Sequence, residues 1–216
     1  MLERMEAFFE ARLDGYDAHM LTEIEGAGAF YRFTVEQLPK GPNSAVLDLG
    51  CGTGLELEAY FQCNSAARVT GIDLSASMLD ALAAKFPDKN LELIRGSYFD
   101  VDLGRARFDA AVSVESLHHF TAERKLALYK SLYLALKPEG YFILTDYFAP
   151  TEELERAYFA ELERLKREQG IADDAFYHYD TPLTAEHESE ILKAAGFSRV
   201  DSLKSWGNTV TLRAKK

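Results

Sequence analysis

Apolar positions change period repeatedly along the chain, passing from short continuous runs to stripes at three-to-four spacing, and this rhythm predicts alternating strands and helices around a parallel sheet. An opening helix is predicted over 2–13. After Gly15-Tyr16 a second carries Leu21, Ile24, Gly28, Tyr31, Val35 and Leu38, and Pro39 and Pro42 close it. The run Ala45-Val46-Leu47-Asp48-Leu49 reads as a buried strand, followed by the turn Gly50-Cys51-Gly52-Thr53-Gly54 and a helix from Leu55. Further strands are predicted at 68–73, 91–95, 108–114 and 141–145. Ser75 caps the helix bearing Met78, Leu79 and Leu82, and Pro87 stops it. Another helix runs from Thr121 to Leu136. From 150 to 180 the pattern becomes a charged helix with Leu154, Tyr158, Leu162 and Leu165 as its apolar stripe, expected to pack over the sheet edge. A helix over 184–195 and strands at 198–204 and 208–213, joined through Trp206-Gly207-Asn208, complete the chain.

The expected fold class is α/β, one domain over 1–216: a helical cover at 1–40, a core at 44–146, an insertion at 150–180, and a terminal helix and hairpin at 184–216. The 216 residues suit one such domain, and 47% hydrophobic with 27% charged residues can build a sizeable core. No apolar run approaches a membrane helix and no signal peptide is visible, so a cytoplasmic location is expected. Cys51 and Cys63 are expected as free thiols. No metal is expected: paired ligands at zinc spacing are absent, and the neighbours His118 and His119 are poorly placed to chelate one ion. The formal net charge of −11 argues against a nucleic-acid partner.

A glycine-rich turn between strand and helix lets backbone amides approach a ligand. The spacing of Gly50, Gly52 and Gly54, with Leu55 where a dinucleotide fingerprint wants its last glycine, departs from nicotinamide binding. Asp48 would repel a pyrophosphate and attract a cation. Asp73 follows Gly52 by about the ~20 residues at which an acid takes ribose hydroxyls in nucleotide-binding α/β folds. Both acids suit an adenosine-bearing cation.

Val46-Leu47-Asp48-Leu49-Gly50-Cys51-Gly52-Thr53-Gly54 closely resembles the first motif of class I S-adenosylmethionine-dependent methyltransferases, and Gly71-Ile72-Asp73-Leu74-Ser75 looks like their second. Phe108-Asp109, Ser116-Leu117-His118-His119-Phe120 and Leu136-Lys137-Pro138-Glu139-Gly140-Tyr141 extend the resemblance over 44–146, and Tyr16-Asp17 echoes it more weakly. The resemblance implies a three-layer sandwich with a mostly parallel seven-stranded sheet and an antiparallel C-terminal hairpin. It implies S-adenosyl-L-methionine as cofactor, with Asp48 and the Gly50, Cys51, Gly52, Gly54 turn at the methionyl part and Asp73 on the ribose. Leu74 and Met78 fall beside the adenine, and Tyr16, Tyr98 and Val114 join the cofactor set. Where many relatives have an aspartate for the adenine amino group this chain has Ser97, a weaker neutral acceptor.

Methyl transfer from a sulfonium needs positioning and exclusion of water, and a base only where the nucleophile arrives protonated. His118 and His119, on the loop after the fourth strand, are candidates to orient or deprotonate the acceptor, or else to line the pocket passively. Tyr16 and His19 could contact the cofactor from a lid, and Phe176-Tyr177-His178-Tyr179 could wall a substrate pocket; ordinary packing explains either set as well. The expected acceptor is a small molecule. The competing readings are a cofactor-binding protein without catalysis and a nicotinamide-dependent oxidoreductase.

Overall fold

The apolar run Ala45–Leu49 forms strand β1, buried along its whole length. In the computed structural model, which describes residues 1–172 and 175–216, β1 lies parallel to β2 (Arg68–Asp73) on one side and β4 (Phe108–Val114) on the other. With β3 (Asn90–Arg95), β5 (Leu136–Tyr147), β6 (Arg199–Trp206) and β7 (Thr209–Lys215) the sheet takes the order β3-β2-β1-β4-β5-β7-β6. Only β7 runs against its neighbours, pairing antiparallel with β5 and β6. This is the predicted seven-stranded sheet. Strand order reverses between β1 and β4, which opens a crevice at the carboxyl ends of these strands, where open α/β sheets bind ligands.

Alternation along β1 sends Leu47 and Leu49 into one core and Val46 into the other. Helices α3 (Ala27–Glu36), α4 (Leu55–Cys63) and α5 (Ala76–Lys85) cover the second core. The first is covered by α6 (Ala122–Ala135) and α8 (Ala185–Ala194). Asp109, from the resemblance motif, has a structural part: its carboxylate accepts from the Ala45 amide and the Lys137 ammonium, both at 2.8 Å, tying β1, β4 and β5 together.

Three expectations change. The predicted helix through Leu21 and Leu38 is two helices, α2 (Tyr16–Glu23) and α3, broken where Gly26 takes φ +77°. A side chain there would meet the Trp206 Cβ at 3.0 Å, so the close approach of β6 fixes the break. The opening helix shortens to α1 (Met5–Glu10). On α7 (Glu152–Glu168) the predicted stripe departs at its first position: Leu154 is 41% exposed and Glu155 is buried instead, while Tyr158, Leu162 and Leu165 are half-buried. The Glu155 carboxylate accepts from the Thr184 amide at 2.7 Å and pairs with His187 Nδ1 at 2.7 Å, so α7 is docked by a hydrogen-bonded acid at the start of α8.

Candidate active site

The turn after β1 and the loop after β4 meet at the crevice. Gly50 has φ +74°, and a Cβ there would lie 2.1 Å from Ser116 Oγ, so the two loops can touch only because this position is bare. Gly52 differs: with φ +47°, its added Cβ would meet nothing within 4 Å. Its amide donates to Asp73 Oδ2 at 2.9 Å, while the Ser75 amide donates to Oδ1 at 2.9 Å. Burial raises the Asp73 carboxyl, and these backbone donors pull it back.

A small cavity of about 60 Å³ lies against this turn. It brings together the cofactor candidates Tyr16, Gly50, Gly52, Asp73, Leu74, Met78, Tyr98 and Val114 with His119 and Ser116 of the motif after β4, and adds Met5, Phe9 and Glu115, which were not singled out. Four candidates do not line it. The Cys51 sulfur packs under β2, where a Cβ on Gly71 would come within 2.8 Å of it. Gly54 faces Leu82 as the N-cap of α4. Ser97 Oγ accepts from the Phe99 amide and shapes its own turn.

Asp48, the fourth, is fully buried beside Glu56. Burial and then the charge of Glu56 raise the Asp48 carboxyl, and burial raises that of Glu56. Asp48 Oδ2 and Glu56 Oε1 have no hydrogen-bond partner among the described residues. A buried acid pair whose neutral forms burial favours lies behind the glycine turn, and the open Gly52 with the Asp73 carboxylate at the end of β2 leaves room and acceptors for an adenosine-bearing ligand.

On the other side of Glu115 lies a larger cavity of about 770 Å³. Phe9, Tyr16, Glu115 and His119 line both spaces. Glu115 takes φ +48° at the end of β4, a conformation costly for a side-chain-bearing residue. It is held there by its amide bond to the Thr145 carbonyl and by Thr209 Oγ1 donating to Oε1 at 3.1 Å. Burial, then the charge of Asp146, push its pKa up to about 7.

His118 and His119 occupy a tight turn, with ring centroids 4.0 Å apart and ring planes tilted by 54°. His118 Nδ1 is 2.5 Å from Asp146 Oδ1, and its Nε2 is 3.5 Å from Asp180 Oδ1. His119 Nδ1 is 3.2 Å from the same Asp180 oxygen and 3.3 Å from the Tyr179 carbonyl. Burial alone would depress His118, but the Asp146 carboxylate overrides it and lifts the imidazole to about 10. Burial and the neighbouring His118 charge lower His119. The two histidines hold the Asp180 carboxyl well below the usual range against the opposing effect of its burial. His178, stacked on Phe8, is lowered to about 4 by burial and by His119.

The N-terminal segment roofs both cavities. The Met5 amide donates to the Phe176 carbonyl and the His178 amide to that of Glu3, both at 2.9 Å. Asp17 accepts from Thr53 Oγ1 and Lys85 Nζ, which ties α2 to the glycine turn. His19 lines the larger cavity only. Small-molecule sites enclose about 300–1,000 Å³, so the smaller space alone would hold only part of a ligand, and its common wall with the larger one joins the two.

A crevice at the β1–β4 switch point, a bare glycine turn and an acid at the end of β2 define a nucleotide-type site on a Rossmann-like sheet. The methyltransferase domain family matches residues 46–140. The carboxy-S-adenosyl-L-methionine synthase of Wolinella succinogenes is 31% identical over 202 residues, covering 85% of this chain and 80% of that protein. That of Helicobacter hepaticus is 30% identical, covering 87% and 82%. Among solved structures, DesVI of Streptomyces venezuelae aligns with TM-score 0.67 at 20% identity over 94% of this chain and 97% of its own. The apo S-adenosylmethionine-dependent methyltransferase SibL aligns with TM-score 0.67 at 16% identity, and the chain spans 59% of its length. The chain belongs to the class I S-adenosylmethionine-dependent methyltransferases, and its cofactor is S-adenosyl-L-methionine.

Asp73→Ala should weaken S-adenosylhomocysteine binding by roughly 1.5–3 kcal/mol, the scale of losing charge-assisted hydrogen bonds. Calorimetry measures this directly, and an unchanged affinity would mean that the ribose is held elsewhere.

Proposed function

We propose that the chain transfers a methyl group from S-adenosyl-L-methionine to a nucleophilic oxygen, nitrogen or carbon of a small molecule held in the larger cavity. The observation that carries this reading is the wall common to both cavities, where a methyl donor on the glycine turn and an acceptor beyond Glu115 would meet. A volume of about 770 Å³ suits a small molecule. Asp14, Glu23 and Glu25 along it oppose a phosphate backbone. No helix among the described residues is long and apolar enough to cross a membrane, and the free thiols of Cys51 and Cys63 suit a reducing cytoplasm.

Displacement at a sulfonium asks the protein mainly to align the reactants and exclude water. Glu115 and His119, common to both spaces, would contact the nucleophilic atom and take its proton where it has one to lose. Both ring nitrogens of His118 are engaged by carboxylates, so His118 would orient its neighbours rather than act alone.

Two relatives are named for making a carboxylated S-adenosylmethionine, which gives a second reading. It would add an anion beside Glu115 and Asp180, in a cavity whose cationic lining among the described residues is Arg12 and the His118 imidazole. Incubation with methyl-labelled cofactor and fractionated cell extract decides. Label in a small molecule, with S-adenosylhomocysteine released, supports the proposal. A carboxylated cofactor supports the second reading, and cofactor binding without any product would leave a binding protein. With an acceptor in hand, Glu115→Gln should keep S-adenosylhomocysteine affinity but lower turnover by about 10²-fold; equal turnover would remove Glu115 from the reaction.

A further inference from the structure

We infer that His118, His119 and Asp180 form a binding site for a divalent first-row metal ion on the wall of the larger cavity. Their donor atoms, one from each residue, all lie within 4.8 Å of one another. Nitrogen and oxygen ligands about 2.0–2.1 Å from zinc are separated by about 3.4 Å along a tetrahedral edge. The Asp180 oxygen stands 3.5 Å from His118 Nε2 and 3.2 Å from His119 Nδ1, so two of the three edges already have that length.

The surroundings supply what such ligands need. Asp146, 1% exposed, engages His118 Nδ1 at 2.5 Å and so presents Nε2 to the shared oxygen. A carboxylate behind the imidazole fixes ring and tautomer in many metal sites. Two acceptors, the Asp180 carboxylate and the Tyr179 carbonyl, converge on His119 Nδ1, and a ring nitrogen carries at most one proton to share between them. A cation in their midst satisfies both. The ion pairs of Asp146 and Asp180 are with these imidazoles, and Glu115 stands 4.0 Å from His118, so the cluster has an excess of carboxylates. Two histidines and one carboxylate suit zinc, iron(II) or manganese, and leave positions open toward the cavity for oxygen or nitrogen atoms of an acceptor.

This goes beyond the proposed methyl transfer and is tested without it. The full chain, stripped with chelator, is titrated calorimetrically with Zn²⁺ and with Mn²⁺, then dialysed against metal-free buffer, and its metal content is measured by plasma emission. About one equivalent per chain is expected to be retained, as a pre-formed site requires. His119→Ala and Asp180→Asn should each weaken binding about 100-fold or more, and Asp146→Asn, a positioning change, about 10-fold. His187→Ala, paired with Glu155 elsewhere, should bind as the parent does. Cobalt(II) should give a visible d–d spectrum that His119→Ala abolishes. Folding of each variant is checked by circular dichroism and S-adenosylhomocysteine binding. Failure of the parent chain to bind S-adenosylhomocysteine would overturn the proposed function and leave the metal site standing. No retained metal in the parent chain, or retention equal in His119→Ala and Asp180→Asn, would overturn the site and leave a metal-free hydrogen-bonded array.

Discussion

Lys125→Met should destabilise the fold by about 3–5 kcal/mol, because it strands a buried carboxylate. Lys125 is 1% exposed and Glu188 is 0% exposed, and the ammonium meets Glu188 Oε2 at 2.6 Å. Tyr129 donates to the other carboxylate oxygen, so α6 and α8 are joined by a complete polar cluster inside an apolar layer. Removing the lysine leaves the tyrosine alone to solvate the charge. In a chain of this length the loss corresponds to a fall in Tm of roughly 10 °C or more. The double variant Lys125→Met, Glu188→Leu should recover much of it, since no charge then remains buried. Urea denaturation of the three proteins measures the cycle. A single variant within about 1 kcal/mol of the parent would mean that water reaches the pair.

Such a cluster could not be read from the chain. Lys125 and Glu188 stand far apart in sequence on helices whose other buried positions are apolar, and each looks like a solvated residue until the helices are packed. Glu155 is the same case: the period of α7 made Leu154 the inward position, but the free amide of Thr184 and the ring of His187 turn an acid inward instead. Helical period reports where apolar residues gather, as the half-buried Tyr158, Leu162 and Leu165 show, but it does not foresee a polar anchor to the start of another helix at one end of the stripe. Strands were legible where an apolar run meets a glycine, as in β1, followed by Gly50, and in the 141–145 part of β5, preceded by Gly140.

Most of the lining of the small cavity was legible for a related reason. Gly50, Gly52 and Leu74 lie on two strand-to-helix turns, Asp73 ends the strand before the second and Met78 lies in the first turn of the helix after it, so local sequence carries both their conformation and their place at the sheet edge. Glu115 left a trace that was overlooked: it is the first acidic residue after the apolar run of β4, at the carboxyl end where the crevice opens. Asp146 leaves the same trace near the end of β5. Met5, Phe9 and Asp180 left none, since they reach the site through the docking of the N-terminal segment against 176–178.

Gly52→Val should abolish S-adenosylhomocysteine binding while the chain stays folded, and this contrast separates a ligand-facing glycine from a structural one. The protein itself leaves the room: an added Cβ at position 52 meets no atom within 4 Å, whereas at Gly50 it would strike Ser116. Gly52 also lines the small cavity beside Asp73, so the valine methyls would enter the space that the methionyl and ribose parts must fill. A branched side chain at φ +47° carries a backbone cost of about 1–2 kcal/mol, which a domain of ordinary stability survives. The amide that donates to Asp73 is retained in the variant. Circular dichroism and a thermal melt should therefore show a folded protein with a modestly lower Tm. Calorimetry should show no heat of binding at ligand concentrations that saturate the parent. Gly50→Val is the control, expected to lose the fold as well as the ligand. Binding by Gly52→Val at parental affinity would mean that the turn serves the fold alone and that the cofactor lies elsewhere along the crevice.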